Sequence, residues 1–281
     1  MLQKVYYLTK DGKHIMGMGD DLIFLGKAEE QYKKTGKKIV PLYHAGWSHL
    51  YDNEFITKHK DVNSLTMNAR DTNQPSDIHV DYYTKEVKQT ILGNQMVWRP
   101  FKPSRYKVRL TQKEIDWADN IIEKHMLDSF MIINPDYKST FFSKNKDWGF
   151  KKYQEVAEAL FPKILMVRIQ PGGKYKEPHL DRALNIPSEN IRNSIALMSK
   201  AKFGLTYHGF VTHILSGFGI PVVDIQGGIV DPTIMNYEGN INLCYKHFQT
   251  PCGSTFPCKH CDEANEYITV DMVIEACKKL L

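Results

Sequence analysis

The feature of this sequence that most constrains its fold is the alternation of short apolar runs with stretches of helical period. The apolar runs are predicted to be strands and lie at residues 4–9, 37–43, 130–135, 164–170, 202–208 and 220–226. The helical patterns lie at residues 21–36, 150–161, 188–201 and 210–219. Strands that alternate with helices are typical of parallel sheets covered by helices. The sequence therefore predicts an α/β fold.

The pattern also predicts two domains. From Met131 onward strands and helices follow one another almost without a break, whereas residues 44–100 are polar and resist assignment. A basic stretch marked by prolines, residues 98–110, is interpreted as a crossing between domains. We therefore expect α/β domains at residues 1–105 and 106–281, the first small and irregular. Ser188 is predicted to cap the third helix, and the first two helices are predicted to end near Gly36 and Pro162.

Composition narrows the classes of function. No apolar run among the 281 residues approaches the roughly 20 that a membrane span needs, which excludes an integral membrane protein of the helical type. The first ten residues lack the apolar core of a signal peptide, so a cytoplasmic location is predicted. The formal net charge of +5 favours an acidic partner, whether a phosphorylated ligand, an anionic glycan or a nucleic acid.

Residues 16–30 contain two glycines and two carboxylates, between a predicted strand and a predicted helix. Gly17 and Gly19 would let the backbone turn tightly and approach a ligand. Asp20 and Asp21 fall in the cap or first turn of the helix, where carboxylates also stabilise the helix dipole. A carboxylate here would repel a phosphate but suits a general base that takes a proton from a hydroxyl. Helix capping and general-base catalysis both stay open.

A second candidate is the polar loop that follows the strand ending at Asn134. Its hydroxyls, backbone amides and ammonium groups could surround a phosphate. The residues in question are Ser139, Thr140, Lys144 and Lys146. The alternative is that these lysines are simply solvated.

A third candidate is the strand, turn and helix around Gly209. The helix amino terminus offers unpaired N–H groups and a positive dipole end to a diphosphate. His208, Thr212 and His213 could add side-chain hydrogen bonds. The two histidines are five apart and so do not share a helix face as a metal pair. A purely structural role for one of them is the alternative.

Four of the five cysteines cluster near the carboxyl terminus, at Cys244, Cys252, Cys258 and Cys261. In a reducing compartment clustered thiols indicate a metal or simple burial before they indicate disulfides. The final C-x-x-C pair has the spacing common in zinc sites. A structural zinc on these four residues is therefore one hypothesis, and free buried thiols are the other.

Taken together, these motifs resemble glycosyltransferase family 9, the ADP-heptose:lipopolysaccharide heptosyltransferase family. The family shows G-x-G-D after its first strand, a K-x-W segment that opens the second domain, and a glycine and histidine ahead of G-I-P-x-V. The matching residues are Gly17, Gly19 and Asp20, then Lys146 and Trp148, then Gly209, His213, Gly219, Ile220 and Pro221. The cysteine-bearing tail is similar to the tails of many members.

The resemblance implies the glycosyltransferase B architecture, two Rossmann-like domains that face each other across a cleft. It implies an inverting transfer from a nucleotide-diphospho-sugar without a catalytic metal, with the donor held by the second domain and the acceptor by the first. Asp20 would be the general base and Lys146 would bind the donor phosphate. Gly209 and His213 would line the diphosphate and sugar pocket.

The sequence departs from the family in two places that bear on the substrates. His208 stands where many members carry an acidic residue, and the first domain, which would choose the acceptor, is short. A surface glycan is the favoured acceptor. A hydroxymethylated pyrimidine in DNA is the alternative, since residues 98–109 could follow a phosphate backbone and stack bases. This basic stretch comprises Trp98, Arg99, Phe101, Lys102, Arg105, Tyr106, Lys107 and Arg109, and it could equally be a solvated linker.

A different class of function also fits. The basic stretch and the cysteine cluster together are compatible with a non-catalytic nucleic-acid-binding protein that carries a zinc-bearing tail. Turnover of nucleotide-sugars separates the two hypotheses, because a binding module releases no nucleoside diphosphate.

Overall fold

A computed structural model describes most of the chain. The described residues are 17–42, 53–68, 75–79, 84–91, 93–136, 144–170, 178–254 and 256–281. The strand predicted at residues 4–9 lies outside them. Within them the chain forms seven α-helices and eleven β-strands.

The amino-terminal part contains one long helix and two small sheets. Its elements are α1 (Met18–Thr35), β1 (Lys38–Pro41), β2 (Ser64–Asn68), β3 (Ile78–His79), β4 (Thr84–Thr90) and β5 (Gly93–Trp98). Strands β1, β2 and β3 form a parallel sheet in that order, while β4 and β5 pair as an antiparallel hairpin. This part is small and irregular, as predicted.

The carboxy-terminal part is built on one larger sheet. Its elements are α2 (Gln112–Lys124), β6 (Phe130–Asn134), α3 (Phe150–Leu160), β7 (Leu165–Gln170), β8 (Leu184–Pro187), α4 (Ile191–Met198), β9 (Phe203–Tyr207), α5 (Phe210–Gly217), β10 (Val222–Gly227), β11 (Ile241–Cys244), α6 (Lys259–Tyr267) and α7 (Val270–Lys278). The strand order is β11-β10-β9-β6-β7-β8, and every pair is parallel.

The six-stranded sheet is covered on both faces, which explains why its central strands are mostly apolar. All five residues of β6 are buried. Ile132 packs into one hydrophobic cluster, whereas its neighbours Met131 and Ile133 pack into another. The first cluster also takes in Leu22 of α1 and Ile214 of α5, so it connects the long amino-terminal helix to the larger sheet.

A buried ion pair links β7 to the segment that follows β6. The Arg168 guanidinium on β7 donates Nη2 to Asp136 Oδ1 at 2.6 Å and Nε to Oδ2 at 3.0 Å. Both side chains are buried, with 0% and 1% of their surface exposed. Arg168 Nη1 also donates to the carbonyl oxygen of Pro178 at 2.5 Å and to Asn185 Oδ1 at 3.4 Å.

The segment that connects the amino-terminal and carboxy-terminal parts lies between α1 and α5, in close contact with both. A Cβ on Gly26 of α1 would overlap the carbonyl oxygen of Ser104, and one on Gly217 of α5 would overlap that of Tyr106. Tyr106 is itself buried in the core, with 2% of its surface exposed. Residues 104–106, within the stretch predicted to cross between domains, are thus held from both sides.

The α/β class and most of the predicted elements in the described part are confirmed. The strands predicted at 37–43, 130–135, 164–170, 202–208 and 220–226 correspond to β1, β6, β7, β9 and β10, and the predicted helices to α1, α3, α4 and α5. The cap predicted at Ser188 is wrong, because Asn190 caps α4 by accepting a hydrogen bond from Arg192 N at 2.9 Å. The helix predicted around Cys277 corresponds to α7, whereas strands β2 to β5, β8 and β11 and helices α2 and α6 were not predicted.

The described helices include none that combines the length and the apolar character required to cross a membrane.

Candidate functional site

Three of the predicted site residues, Asp20, Lys146 and His213, meet at the carboxyl ends of β9 and β10, the edge where open α/β sheets bind ligands. The amino termini of α1 and α5 converge there. A Cβ on Gly19 would lie 2.8 Å from His213 Cδ2 and 3.7 Å from Phe210 N, so only glycine allows this close approach. The second glycine of the amino-terminal motif is therefore required by contact with the histidine motif, nearly 200 residues away.

Asp20 lies at the start of α1, where Gly17 is the N-cap residue. Its Oδ2 accepts a hydrogen bond from Gly17 N at 3.2 Å, so it serves as a capping residue in this structure. A carboxylate has about four lone-pair sites, so accepting a capping hydrogen bond does not prevent it from taking up a proton. Asp21, predicted to be a helix-start residue, is in the same turn but fully buried.

His208 belongs to a buried polar network around Asp224 of β10. Its Nδ1 lies 2.8 Å from Asp224 Oδ2, and Thr212 Oγ1 donates to Asp224 Oδ1 at 3.0 Å. Gln226 Nε2 also donates to Asp224 Oδ2, at 3.2 Å. Burial opposes ionisation of Asp224, but attraction to His208 and these hydrogen bonds outweigh it, and the pKa of Asp224 is lowered. The network thus holds a charged carboxylate that fixes the His208 ring.

His213 is buried against both helix termini. Its Nδ1 lies 2.8 Å from the Tyr237 hydroxyl, and its ring packs edge-on against the His208 ring with centroids 5.3 Å apart. Burial above all, together with the neighbouring His208, lowers the pKa of His213 to about 3. His213 is therefore neutral at pH 7 and can accept or donate a hydrogen bond without adding positive charge.

The low pKa of His213 predicts a specific dependence of stability on pH. The unfolded chain binds a proton at this residue below about pH 6.5, whereas the folded chain does so only near pH 3. Stability should therefore be fully present above pH 6.5 and fall as the pH is lowered, by at most about 1.4 kcal/mol per unit. In urea unfolding at pH 7 and pH 5, we expect wild type to lose about 1–2 kcal/mol more than His213→Gln. Equal losses in the two proteins would refute a buried neutral His213.

Lys146 reaches the same site from the loop before α3. Its Nζ donates to the carbonyl oxygen of His208 at 3.2 Å. Its positive charge also contributes to the lowered pKa of His213. Lys146 is half-buried, whereas Lys144 on the same loop is exposed. The structure thus places Lys146 beside His208 and near His213, and leaves Lys144 at the surface. Ser139 and Thr140, predicted to bind phosphate, lie outside the described residues.

The cysteine tail forms a second, separate cluster. The side-chain ligand atoms of Cys252, Cys258, His260 and Cys261 all lie within 4.8 Å of one another. The Sγ atoms of Cys252 and Cys258 are 3.9 Å apart, and those of Cys252 and Cys261 are 3.1 Å apart. Cys244, predicted to be the fourth ligand, is not in the group, because it ends the edge strand β11. His260 takes its place.

The donor set of this group suits a metal ion. Three thiols and one imidazole are the ligands of Cys₃His zinc sites. His260 Nε2 lies 3.1 Å from Thr250 Oγ1, while its buried Nδ1 has no hydrogen-bond partner among the described residues. A buried nitrogen of this kind is costly unless something binds it, and a metal ion would do so.

In the basic stretch predicted to contact the acceptor, the aromatic rings are packed into the protein, whereas Lys102, Arg105, Lys107 and Arg109 are exposed. The Trp98 indole donates to the carbonyl oxygen of Ile229 at 3.0 Å, and Trp98 packs against two buried hydrophobic clusters. Arg105 is exposed and its guanidinium donates to the carbonyl oxygen of Glu238. Arg99 is half-buried. The acceptor role of Trp98, Arg99 and Arg105 stays a prediction.

Four functional residues were missed from the sequence, three at the candidate site and one in the cysteine group. Asp224 and Gln226 interrupt an otherwise apolar strand, and a carboxylate within a buried strand is the signal that could have identified them. Tyr237 lies in a loop, and its contact with His213 depends on tertiary structure that no local pattern encodes. His260 sits inside the cysteine motif and was passed over in favour of a fourth cysteine.

Chemically, the site offers a carboxylate, an ammonium group and a neutral imidazole near two helix amino termini. The helix termini and Lys146 provide the positive potential that a diphosphate requires. Of these three groups, only the Asp20 carboxylate is an anion that can take up a proton.

Comparison with known proteins identifies the fold. No protein-family model matches the chain, and no curated protein sequence matches it. The structure is similar to the crystal structure of the glycosyl transferase family 9 from Veillonella parvula DSM 2008, with a TM-score of 0.63 and 11% identity, and the match covers 95% of each chain.

Two further solved structures are similar over part of the chain. The E. coli ADP-heptose LPS heptosyltransferase II has a TM-score of 0.46 and 14% identity over 66% of this chain and 54% of its own. The dodecameric iron-containing heptosyltransferase TibC in complex with ADP-D-beta-D-heptose has a TM-score of 0.44 and 17% identity over 63% of this chain and 48% of its own. The match with the Veillonella protein spans both the small sheets and the six-stranded sheet. The chain therefore has the α/β fold of a family 9 glycosyltransferase, which confirms the predicted glycosyltransferase B architecture.

Proposed function

We propose that this protein is an inverting glycosyltransferase that moves a sugar from a nucleotide-diphospho-sugar to an acceptor hydroxyl. The observation that carries the proposal is the convergence of Asp20, Lys146 and His213 where the amino termini of α1 and α5 meet. These residues come from three distant stretches of the sequence. Each stretch matches a different motif of the family, and the fold is that of the family.

In the proposed reaction the acceptor oxygen attacks the anomeric carbon of the sugar. The bond from this carbon to the diphosphate oxygen breaks, and its electron pair leaves with the diphosphate. Asp20 takes the proton of the attacking hydroxyl. Lys146 and the free N–H groups at the start of α5, rather than a catalytic metal, balance the negative charge that develops on the departing diphosphate.

Neutral His213 would have a positioning part in this reaction. Tyr237 stays protonated, because burial first and the nearby Asp224 second raise its pKa. Its hydroxyl can then donate to His213 Nδ1, which leaves Nε2–H directed toward the start of α1. We propose that this N–H donates a hydrogen bond to the sugar or to a diphosphate oxygen.

A saccharide is the acceptor that the structure favours over DNA. Base stacking needs exposed aromatic rings. Tyr106 is buried, and Trp98 and Phe101 are partly buried in hydrophobic clusters. Arg109 is paired with Glu54 at 2.9 Å. The basic stretch therefore retains charge but lacks an open stacking platform.

The test is release of nucleoside diphosphate from a panel of donors. ADP-, GDP-, UDP- and CDP-sugars would be incubated with the protein and either a lipopolysaccharide core fraction or DNA containing 5-hydroxymethylcytosine. We expect nucleoside diphosphate release only with a saccharide acceptor. Release with DNA would replace the acceptor assignment, and binding of DNA without any release would favour a non-catalytic nucleic-acid-binding protein.

Removal of the Lys146 ammonium group should weaken donor binding. We expect Lys146→Ala to lower the affinity for the nucleoside diphosphate about 10- to 100-fold in isothermal calorimetry, because hydrogen bonds to charged groups contribute about 1.5–3 kcal/mol. Lys144→Ala is the matched control, since this exposed lysine lies two residues away, and its affinity should change less than twofold. Equal affinities for the two variants would remove Lys146 from the site.

We also propose that the group of Cys252, Cys258, His260 and Cys261 binds a structural zinc ion. Elemental analysis of protein purified without chelator should find about one equivalent of zinc per chain, the amount expected for one closed four-ligand site. Cys258→Ser should lose the metal, while Cys244→Ser, outside the group, should keep it. Less than a tenth of an equivalent in wild type would indicate free buried thiols instead.

A further inference from the structure

We propose that the metal site and the donor site are coupled through Asn145, so that metal binding at the first strengthens nucleoside diphosphate binding at the second. The inference rests on the proposed function for its donor. It concerns two segments, the cysteine loop (residues 252–261, of which Thr255 is not described) and the lysine loop (residues 144–149).

Asn145 connects the two loops directly. It is 1% exposed, and its Nδ2 donates to the carbonyl oxygens of Ser254 at 3.0 Å and Phe256 at 2.7 Å. Both carbonyls belong to the cysteine loop and lie between Cys252 and Cys258. The residue that follows Asn145 is Lys146, whose Nζ reaches the carbonyl oxygen of His208.

Three further hydrogen bonds join the lysine loop and the start of α3 to residues 265–268, which follow the cysteine loop. Asn265 Nδ2, on the helix that starts after Cys258, donates to the backbone oxygen of Asn145 at 3.4 Å. Lys152 Nζ donates to the backbone oxygen of Asn265 at 2.9 Å. The Trp148 indole donates to the backbone oxygen of Ile268 at 2.7 Å. The lysine loop and the start of α3 are therefore held by the tail that contains the metal ligands.

The amino-terminal end of the cysteine loop, at Cys252 and Gly253, is held by hydrogen bonds to the residue after β10 and to β5. Cys252 N donates to the carbonyl oxygen of Gly228, just after β10, at 2.9 Å. Gln95 Nε2 on β5 donates to the carbonyl oxygen of Cys252 at 3.0 Å, and Met96 N donates to that of Gly253 at 2.8 Å. A metal ion on Cys252, Cys258 and Cys261 would tie this fixed end to the start of α6.

The physical basis of the coupling is conformational entropy. A metal that closes the cysteine loop fixes the two carbonyls to which Asn145 is bound, and so restricts the backbone that carries Lys146. A nucleotide that binds to an already ordered lysine loop loses less conformational freedom and binds more tightly. Linkage requires the effect to be reciprocal, so the nucleotide must tighten metal binding by the same factor.

The first measurement is hydrogen exchange of the whole protein, with and without one equivalent of Zn²⁺ and in the absence of nucleotide. We expect added Zn²⁺ to protect peptides that cover residues 144–152 at least as strongly as those that cover 252–261. Peptides from β6 and β9 should not change. Protection confined to 252–261, or a change throughout the chain, would overturn the coupling.

The second measurement is nucleoside diphosphate affinity by calorimetry, with Co²⁺ affinity followed by its thiolate absorption bands. We expect metal to raise nucleotide affinity about 5- to 20-fold in wild type, within the usual range of coupling between sites. Asn145→Ala should still bind Co²⁺ but should lose this difference. Gln154→Ala, which alters α3 but not its contact with the tail, should retain it.

The outcomes separate the two proposals. Nucleotide that binds equally well with and without metal overturns the coupling and leaves the glycosyltransferase proposal intact. If Zn²⁺ protects residues 144–152 but none of the four nucleoside diphosphates binds, the link between the loops is upheld and the proposed function fails. Failure of the protein to bind Zn²⁺ or Co²⁺ refutes the coupling.

Discussion

Replacement of Asp20 by asparagine is expected to lower turnover by about two to four orders of magnitude, the usual contribution of an acid–base group. The substitution removes the capacity to accept a proton but keeps an oxygen that can accept the hydrogen bond from Gly17 N. Helix α1 should therefore still form, and calorimetry should find nucleoside diphosphate affinity within about twofold of wild type.

Asp147→Asn provides the matched control for Asp20→Asn. Asp147 also accepts a backbone hydrogen bond just before a helix, from Gly149 N at 3.0 Å, and it follows Lys146 in the lysine loop. Its loss of charge should change turnover by less than tenfold, because it is assigned no part in proton transfer. Similar rate losses in the two variants would assign Asp20 an electrostatic role and exclude it as the base.

Replacement of Asp136 by alanine is expected to have the largest effect on stability. It would leave the Arg168 guanidinium, which is 0% exposed, as an uncompensated charge within the sheet. Removal of one partner of a buried ion pair costs about 3–5 kcal/mol, which urea unfolding would measure directly.

The double variant Asp136→Ala/Arg168→Met tests the reason for that loss. Removal of both charges leaves no buried ion, and the methionine can fill part of the space next to Phe150, whose ring centroid lies 5.1 Å from the guanidinium carbon. We expect the double variant to recover at least about half of the stability lost in the single variant. A double variant less stable than Asp136→Ala would show that Arg168 contributes mainly through other contacts.

The sequence predicted those elements whose signal is local. Strands β6, β9 and β10 are mostly apolar, and α1 is capped by Gly36, where its pattern predicts its end. Secondary structure between residues 44 and 100 could not be predicted from the sequence, because β2 and β3 are short and β4 is polar. The pairing of such strands depends on partners distant in sequence and not on their own composition.

The candidate site, too, could be predicted only where its signal is local in the sequence. Asp20, Lys146 and His213 could be identified because each lies in a motif at a predicted junction of a strand and a helix. Their proximity could be expected only through the resemblance to a family, since it depends on α1 packing against α5. The error at Cys244 has a related cause, because spacing counts cysteines along the chain while a metal site is defined by which side chains share one volume.

The clamped backbone at residues 104–106 bears on how substrates could enter and leave. A connection between two lobes acts as a hinge only if a few of its residues are free to rotate. Here Gly26 and Gly217 bring both helices into direct contact with this connection, and Tyr106 is anchored in the core. Rotation about it would separate packed surfaces on both sides at once. We therefore expect little rotation of the amino-terminal part against the carboxy-terminal part. We expect the loops at the carboxyl ends of the six-stranded sheet to control the exchange of donor and product.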